Sequence, residues 1–132
     1  MNTYVIAAAL IKNKEKYLIA KRDSQKEFNP NEWEFISGFI EEKETVEKTI
    51  LRELIEETNL KGQIIDSGES TSILDKDTRW IIIPYLIETN NEKFEINPSD
   101  HSEMLWVKAK SLKNYKGLIS FIKIFENEGW IK

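Results

Sequence analysis

The chain has 132 residues, no cysteine and a formal net charge of −4, a length that fits one domain burying roughly two-thirds of its unfolded surface. Without cysteine there is neither a disulfide staple nor a thiolate metal site, which agrees with a reducing cytosol, and the acidic balance disfavours a nonspecific nucleic-acid binder, which needs basic side chains to displace phosphate counterions. No apolar run approaches the ~20 residues of a membrane helix, so the expectation is one cytoplasmic domain over residues 1–132.

Tyr4 to Ile11 reads as a strand and not a signal peptide, because no basic segment precedes it. Tyr17 to Arg22 is a second strand, joined to the first by the polar turn Lys12 to Lys16 as a hairpin. Residues 23–32 form a loop marked by Ser24, Asn29, Pro30 and Asn31, and a short strand from Trp33 to Ile36 follows. Gly38 sits in a loop, Thr45 is an N-cap, and a helix runs from Val46 to about Thr58 with Glu47 favourably placed in its first turn. A weakly patterned strand covers Gln63 to Ser67. Trp80 to Ile87 is the most hydrophobic run, a sheet strand with Pro84 at a bulge or an edge. Asn90 to Lys93 turns, and Asp100 to Glu103 is a loop leading into a strand from Met104 to Lys108. Leu118, Phe121, Ile122 and Phe125 repeat at helical spacing, with Gly129 as a stop. Strands with one helix from mid-chain and another from the end make an α/β sandwich, the last helix covering the second face of the sheet.

The middle helix concentrates the chemistry. At about 100° per residue, Glu53, Glu56 and Glu57 fall within an arc of about 100°, next to the apolar side formed by Val46, Ile50, Leu51, Leu54 and Ile55. Carboxylates crowded at the edge of a core repel one another and lose hydration, so they call for a compensating charge such as Mg²⁺, a hard cation that takes oxygen ligands. A lone acidic helix is ordinarily a solvated face. Here the spacing from Gly38 through Glu44 to Arg52-Glu53 argues for a site instead. Arg52 stands four residues before Glu56, an ion-pair spacing, and the sharper reading has it orienting a carboxylate for metal.

At Gly38, Glu44, Arg52, Glu53, Leu54, Glu56, Glu57 and Leu60 the chain resembles the Nudix hydrolase family, in its MutT-like branch. Asn59 stands where that family has Gly, and Asn is the residue best able to replace Gly in the left-handed turn that ends helices. Asn31 to Phe35 looks like the segment that enters the motif, although Ile36-Ser37 replaces the usual Pro-Gly. The resemblance implies a mixed β-sheet sandwiched between helices. It also implies Mg²⁺-dependent hydrolysis of a pyrophosphate bond in a nucleoside diphosphate derivative, with Mn²⁺ able to substitute. Glu53, Glu56, Glu57 and the Gly38 carbonyl would then hold metal; Glu53 would take the proton of the attacking water, with Arg52 and Glu44 as catalytic companions.

A second acidic source precedes the late strand: Asp100 and Glu103 are candidates for the metal site, each readable equally as a solvated loop charge, and His101 is expected at the surface. Arg22 offers basic help to a phosphate; Trp33, Phe35 and Trp80 could stack on a base, Phe35 being the one most easily read as core. The family's markers for ADP-ribose and dinucleoside polyphosphates are missing, since Asp75 stands where the former has Pro. A nucleoside triphosphate, normal or oxidised, is the default substrate, cleaved to monophosphate and pyrophosphate. The competing readings are a non-catalytic nucleotide-sensing or protein-binding module, and an RNA 5′-pyrophosphohydrolase, which the acidic balance disfavours. The partner is therefore a small nucleotide, with neither membrane nor nucleic acid expected.

Overall fold

Two strands that begin as a hairpin and then part company organise the sheet. In the computed structural model, which describes residues 1–131, β1 (Asn2–Asn13) and β2 (Lys16–Arg22) turn at Lys14-Glu15, with Lys14 at φ 55°. They pair only beside the turn, through Lys12↔Tyr17 and Asn13↔Lys16. Beyond it the gap is filled from the following segment. β3 (Trp33–Glu34) pairs with β2 through Ala20↔Glu34, and β4 (Ile36–Phe39) pairs with β1 through Ala7↔Gly38. The split carries Glu34 and Gly38 into the middle of the sheet, and it places Gly38 in a strand, not in the expected loop. Ladder hydrogen bonds to β1 are what hold it extended.

β7 (Thr78–Glu88) runs parallel to β1 from Asn2↔Thr78 to Lys12↔Glu88. Its other edge is shared by β5 (Gln63–Ser67) and β6 (Thr71–Asp75), both antiparallel. β8 (His101–Lys108) closes the outer edge of β2. The sheet is mixed and eight-stranded, and the fold is α/β. Pro84 lies neither at an edge nor at a bulge of β7. It sits where β5 ends and β6 has yet to begin, its carbonyl accepting from Gly68 N at 2.9 Å. The N–H that proline lacks would point to that same side, so its absence breaks no ladder. β6 had no strand signal in the sequence. None of its residues is fully buried, so burial writes little pattern into the segment, and its turn to β7 uses Lys76 at φ 55° in place of an Asn-Gly pair.

One helix covers each face. α1 (Val46–Thr58) presents Ile50 and Leu54 to Ala7, Ala9, Leu18, Ala20, Ile36 and Ile87, and α2 (Ile119–Asn127) presents Ile122 and Phe125 to Leu10, Tyr17, Ile19 and Phe35. The alternation along β1 and β2 sorts these two sets, each fully buried Leu or Ile contributing about 1.5–3 kcal/mol. Small alanines lie under α1, and large side chains lie under α2. α1 starts where Thr45 Oγ1 accepts from Lys48 N at 3.2 Å, as the sequence predicts. It ends at Asn59, left-handed at φ 58°, whose N–H donates to Ile55 O at 2.9 Å. Asn does there what Gly would do.

Candidate active site

Arg52, on the middle turn of α1, is tied down by the residue that precedes the helix. Its Nε donates to Glu44 Oε2 at 2.7 Å and its Nη2 to Glu44 Oε1 at 3.1 Å, a two-pronged pairing of guanidinium with carboxylate. Thr49 Oγ1 donates to the same Glu44 Oε1 at 2.8 Å. Arg52 and these further donors hold the Glu44 carboxyl down to about 2, and Glu44 in turn raises the guanidinium above its ordinary value. With both oxygens engaged, Glu44 fixes Arg52 in place. Arg52 then presents Nη1 to Glu53 Oε1 at 3.0 Å and to Glu56 Oε2 at 3.1 Å, the latter being the i,i+4 pair expected from spacing.

Glu53 projects from α1 across Gly38 of β4. A Cβ on Gly38 would collide with Cγ and Cδ of Glu53, so the glycine is there because the carboxylate crosses over it. Partial burial raises the Glu53 carboxyl above its ordinary range, against the lowering pull of Arg52. One turn on, Glu57 is only 8% exposed. Burial first, and then the charges of Glu53, Glu34 and Asp100, push its carboxyl far above the carboxylate range. Its Oε2 is buried without a hydrogen-bond partner.

The late strand meets this acidic arc through a residue expected at the surface. His101 is 1% exposed, because β8 pairs with β2 at Arg22↔His101 and so lies under α1. His101 Nε2 is 2.7 Å from Glu34 Oε2 and 3.9 Å from Glu57 Oε1. Arg22 Nη1 donates to the other Glu34 oxygen at 3.0 Å. Neither Glu34 nor His101 was singled out from the sequence for this role. The available signal was period two: Glu34 sits between two aromatics, Trp33 and Phe35, that face the opposite way.

The remaining candidates divide by sheet face. Asp100 approaches the arc closely enough for its charge to act on Glu57, and Lys26 Nζ pairs with it at 3.0 Å. Glu103 is exposed on β8 opposite Lys21. Phe35, 2% exposed and edge-on to Phe125, has no ring face open to a base. Trp33 packs edge-on against Tyr115 in the α2 layer, on the other side of the sheet from Glu34. Trp80 stacks on Tyr4 and lies beside Phe39, which points away from the side where its neighbour Gly38 meets Glu53. The three aromatics thus stand apart from the acidic arc because strand alternation turns them to the other face. Of the substrate candidates only Arg22 reaches it.

Oxygens of Glu34 and Glu57 and a ring nitrogen of His101 lie within 4.8 Å of one another and could hold a metal ion. The fit is supported by the partnerless Glu57 Oε2: a buried carboxylate ringed by other carboxylates is costly, and a divalent cation is the partner its chemistry takes.

The NUDIX domain family model matches residues 1–125. The nucleoside triphosphatase NudI of Klebsiella pneumoniae (strain 342) is 29% identical over 126 residues, covering 87% of this chain and 89% of that protein. The crystal structure of a MutT protein from Methanosarcina mazei Go1 superposes with a TM-score of 0.83 at 19% identity, over 97% of this chain and 96% of the other. The NUDIX domain of Shewanella oneidensis NrtR, crystallised with ADP ribose, superposes with a TM-score of 0.78 at 19% identity, over 97% and 89% of the two chains; both likenesses speak to the fold.

Proposed function

The chain belongs to the Nudix family and is a hydrolase, and from that premise we propose that it cleaves a nucleoside triphosphate, normal or oxidised, to monophosphate and pyrophosphate in a Mg²⁺-dependent reaction. The observation that carries the reading is the placing of an Arg52-anchored Glu53 one turn before the buried Glu57, whose Oε2 has no hydrogen-bond partner among the described residues. The likeness to a nucleoside triphosphatase supports the substrate class.

In this reading Glu53, Glu56, Glu57 and the Gly38 carbonyl hold the ion, Asp100 adds charge from the β8 side, and Mn²⁺ substitutes for Mg²⁺. A bound divalent ion supplies charge neutralisation at phosphoryl oxygens and acidifies water. The rest is the protein's own work. Arg52 holds Glu53 by Oε1, and a carboxylate steadied in this way, with its raised affinity for protons, is the group we assign to accept the proton of the attacking water. Gly38 keeps the space that Glu53 occupies. Arg22, clamped by Glu34 and by the Phe28 carbonyl at 2.8 Å, is a fixed positive charge toward which phosphate can be drawn. No helix among the described residues is long and apolar enough to cross a membrane, and we place the reaction in the cytoplasm.

The test is a Mg²⁺ assay over normal and oxidised nucleoside triphosphates, ADP-ribose, dinucleoside polyphosphates and 5′-triphosphorylated RNA, with products identified. Monophosphate and pyrophosphate from a triphosphate are expected. Orthophosphate as the released product, or turnover confined to another substrate class, would overturn the reading.

A further inference from the structure

His101 is the only histidine in the chain, its side chain is fully enclosed, and the proposed hydrolytic step gives it no task. A purely structural histidine would need Glu34 alone. That leaves unexplained why Glu57 approaches the same ring nitrogen, 3.9 Å from Oε1, while its Oε2 is buried with no partner at all.

We infer that His101 Nε2, with one oxygen each of Glu34 and Glu57, forms a nitrogen-containing divalent-cation subsite that prefers a transition-metal ion to Mg²⁺. Two ligand atoms on one small ion stand about 3.0–3.4 Å apart, from bond lengths of about 2.1 Å. The observed separations of 2.7 and 3.9 Å from His101 Nε2 bracket that distance, and the three atoms lie within 4.8 Å of one another, so side-chain shifts of about an ångström complete the geometry. Imidazole suits Zn²⁺ and the later transition-metal ions, and Mn²⁺, though well served by carboxylates, lies on the same affinity series for mixed nitrogen and oxygen sites, whereas Mg²⁺ keeps to oxygen and water. Arg22 has a positioning role here: by holding Glu34 Oε1 at 3.0 Å it turns Oε2 toward His101. Glu34, with a quarter of its side chain exposed, leaves the ion a way in. The ion would take the Nε2 lone pair of the neutral ring, displacing the proton that Nε2 shares with Glu34 onto Nδ1, a buried atom that itself has no hydrogen-bond partner among the described residues.

The inference rests on the proposed hydrolytic reading only in that Glu57 is shared, since one carboxylate can bridge two ions. Pulsed electron paramagnetic resonance on the full chain loaded with Mn²⁺ tests it. The wild type should show the nitrogen coupling of a coordinated imidazole; His101→Gln, whose amide N–H can still reach Glu34, should lose the coupling and bind that Mn²⁺ about 100-fold more weakly. Glu34→Gln should weaken the same ion and leave its nitrogen coupling detectable at higher Mn²⁺. Mg²⁺ should displace this Mn²⁺ poorly. Bound Mn²⁺ without nitrogen coupling in the wild type, or an unchanged titration in His101→Gln, overturns the subsite and makes His101 a hydrogen-bond holder of Glu34. If His101→Gln fails to fold, the wild-type spectrum and Glu34→Gln decide the matter. Pyrophosphate release in Mg²⁺ alone, with no nitrogen signal in Mn²⁺, sinks this inference and leaves the hydrolytic reading standing.

Discussion

The two faces of the sheet are built for different ends. Under α2 the contacts are mainly apolar and dominated by rings: Phe35 edge-on to Phe125 at 5.0 Å, and Phe125 stacked on Trp130 at 5.9 Å. Under α1 the apolar contacts are smaller, with Ala7, Ala9 and Ala20 beneath Ile50 and Leu54. Their edge is crowded by Glu34, Glu53, Glu57 and His101. The α2 face gains stability from area removed from water. The α1 face gives some of that up to keep carboxylates partly dehydrated and close together, which is what cation binding requires. Stability and chemistry are thereby assigned to opposite sides of one sheet.

That division is easiest to break at its extremes. Glu53→Gln should reduce Mg²⁺-dependent turnover by about 10³-fold, the usual scale of a general base, while the melting temperature moves by no more than about 2 °C. Steady-state kinetics beside a thermal melt reads both; near-normal turnover at saturating Mg²⁺ would remove Glu53 from its role. Phe125→Ala should do the converse. It should cost about 3–5 kcal/mol of stability in a denaturant titration and leave turnover near wild type at temperatures where the chain stays folded. A selective loss of turnover there would mean that the faces are coupled.

A subtler test uses pH. Burial and neighbouring charges raise the Glu57 carboxyl above its ordinary 4.5 in the folded chain, so the folded state binds that proton more tightly than the unfolded state does. Its stabilising contribution is complete below the unfolded value and is lost as pH rises toward the raised folded value. In chelator, the wild type should therefore melt progressively lower from about pH 5 up to about pH 10, and Glu57→Gln should flatten that slope. Saturating divalent metal, at about a hundred times its dissociation constant, should restore roughly 2.7 kcal/mol to the wild type and much less to the mutant. A pH-independent melt in chelator would mark Glu57 as an ordinary solvated charge. The smallest effect is expected at Asn59→Ala. It should lower stability by about 1 kcal/mol through the left-handed backbone while leaving metal titrations unchanged.

What the sequence determined by itself is local. The unbroken apolar runs Tyr4 to Ile11 and Tyr17 to Ala20, with a polar turn between them, and the helical spacing in Ile50, Leu54, Ile122 and Phe125, follow from which side chains must be dry, so those elements were legible. Thr45 and Asn59 marked the ends of α1 because capping and left-handed turns act within a few residues. The placing of Glu53, Glu56 and Glu57 in one arc is likewise a matter of helix geometry. Tertiary structure decided the rest. Whether Glu34 and His101 meet depends on β3 entering the gap between β1 and β2, and on β8 pairing at Arg22↔His101; neither pairing is written near those residues. The same split turned Trp33 and Phe35 away from the acidic arc and set Gly38 in a strand beneath Glu53, and the pairing of β7 with β1 turned Trp80 the same way. Partners that lie far apart in sequence are chosen by how strands close on one another, and a charge becomes buried or solvated only once that choice is made.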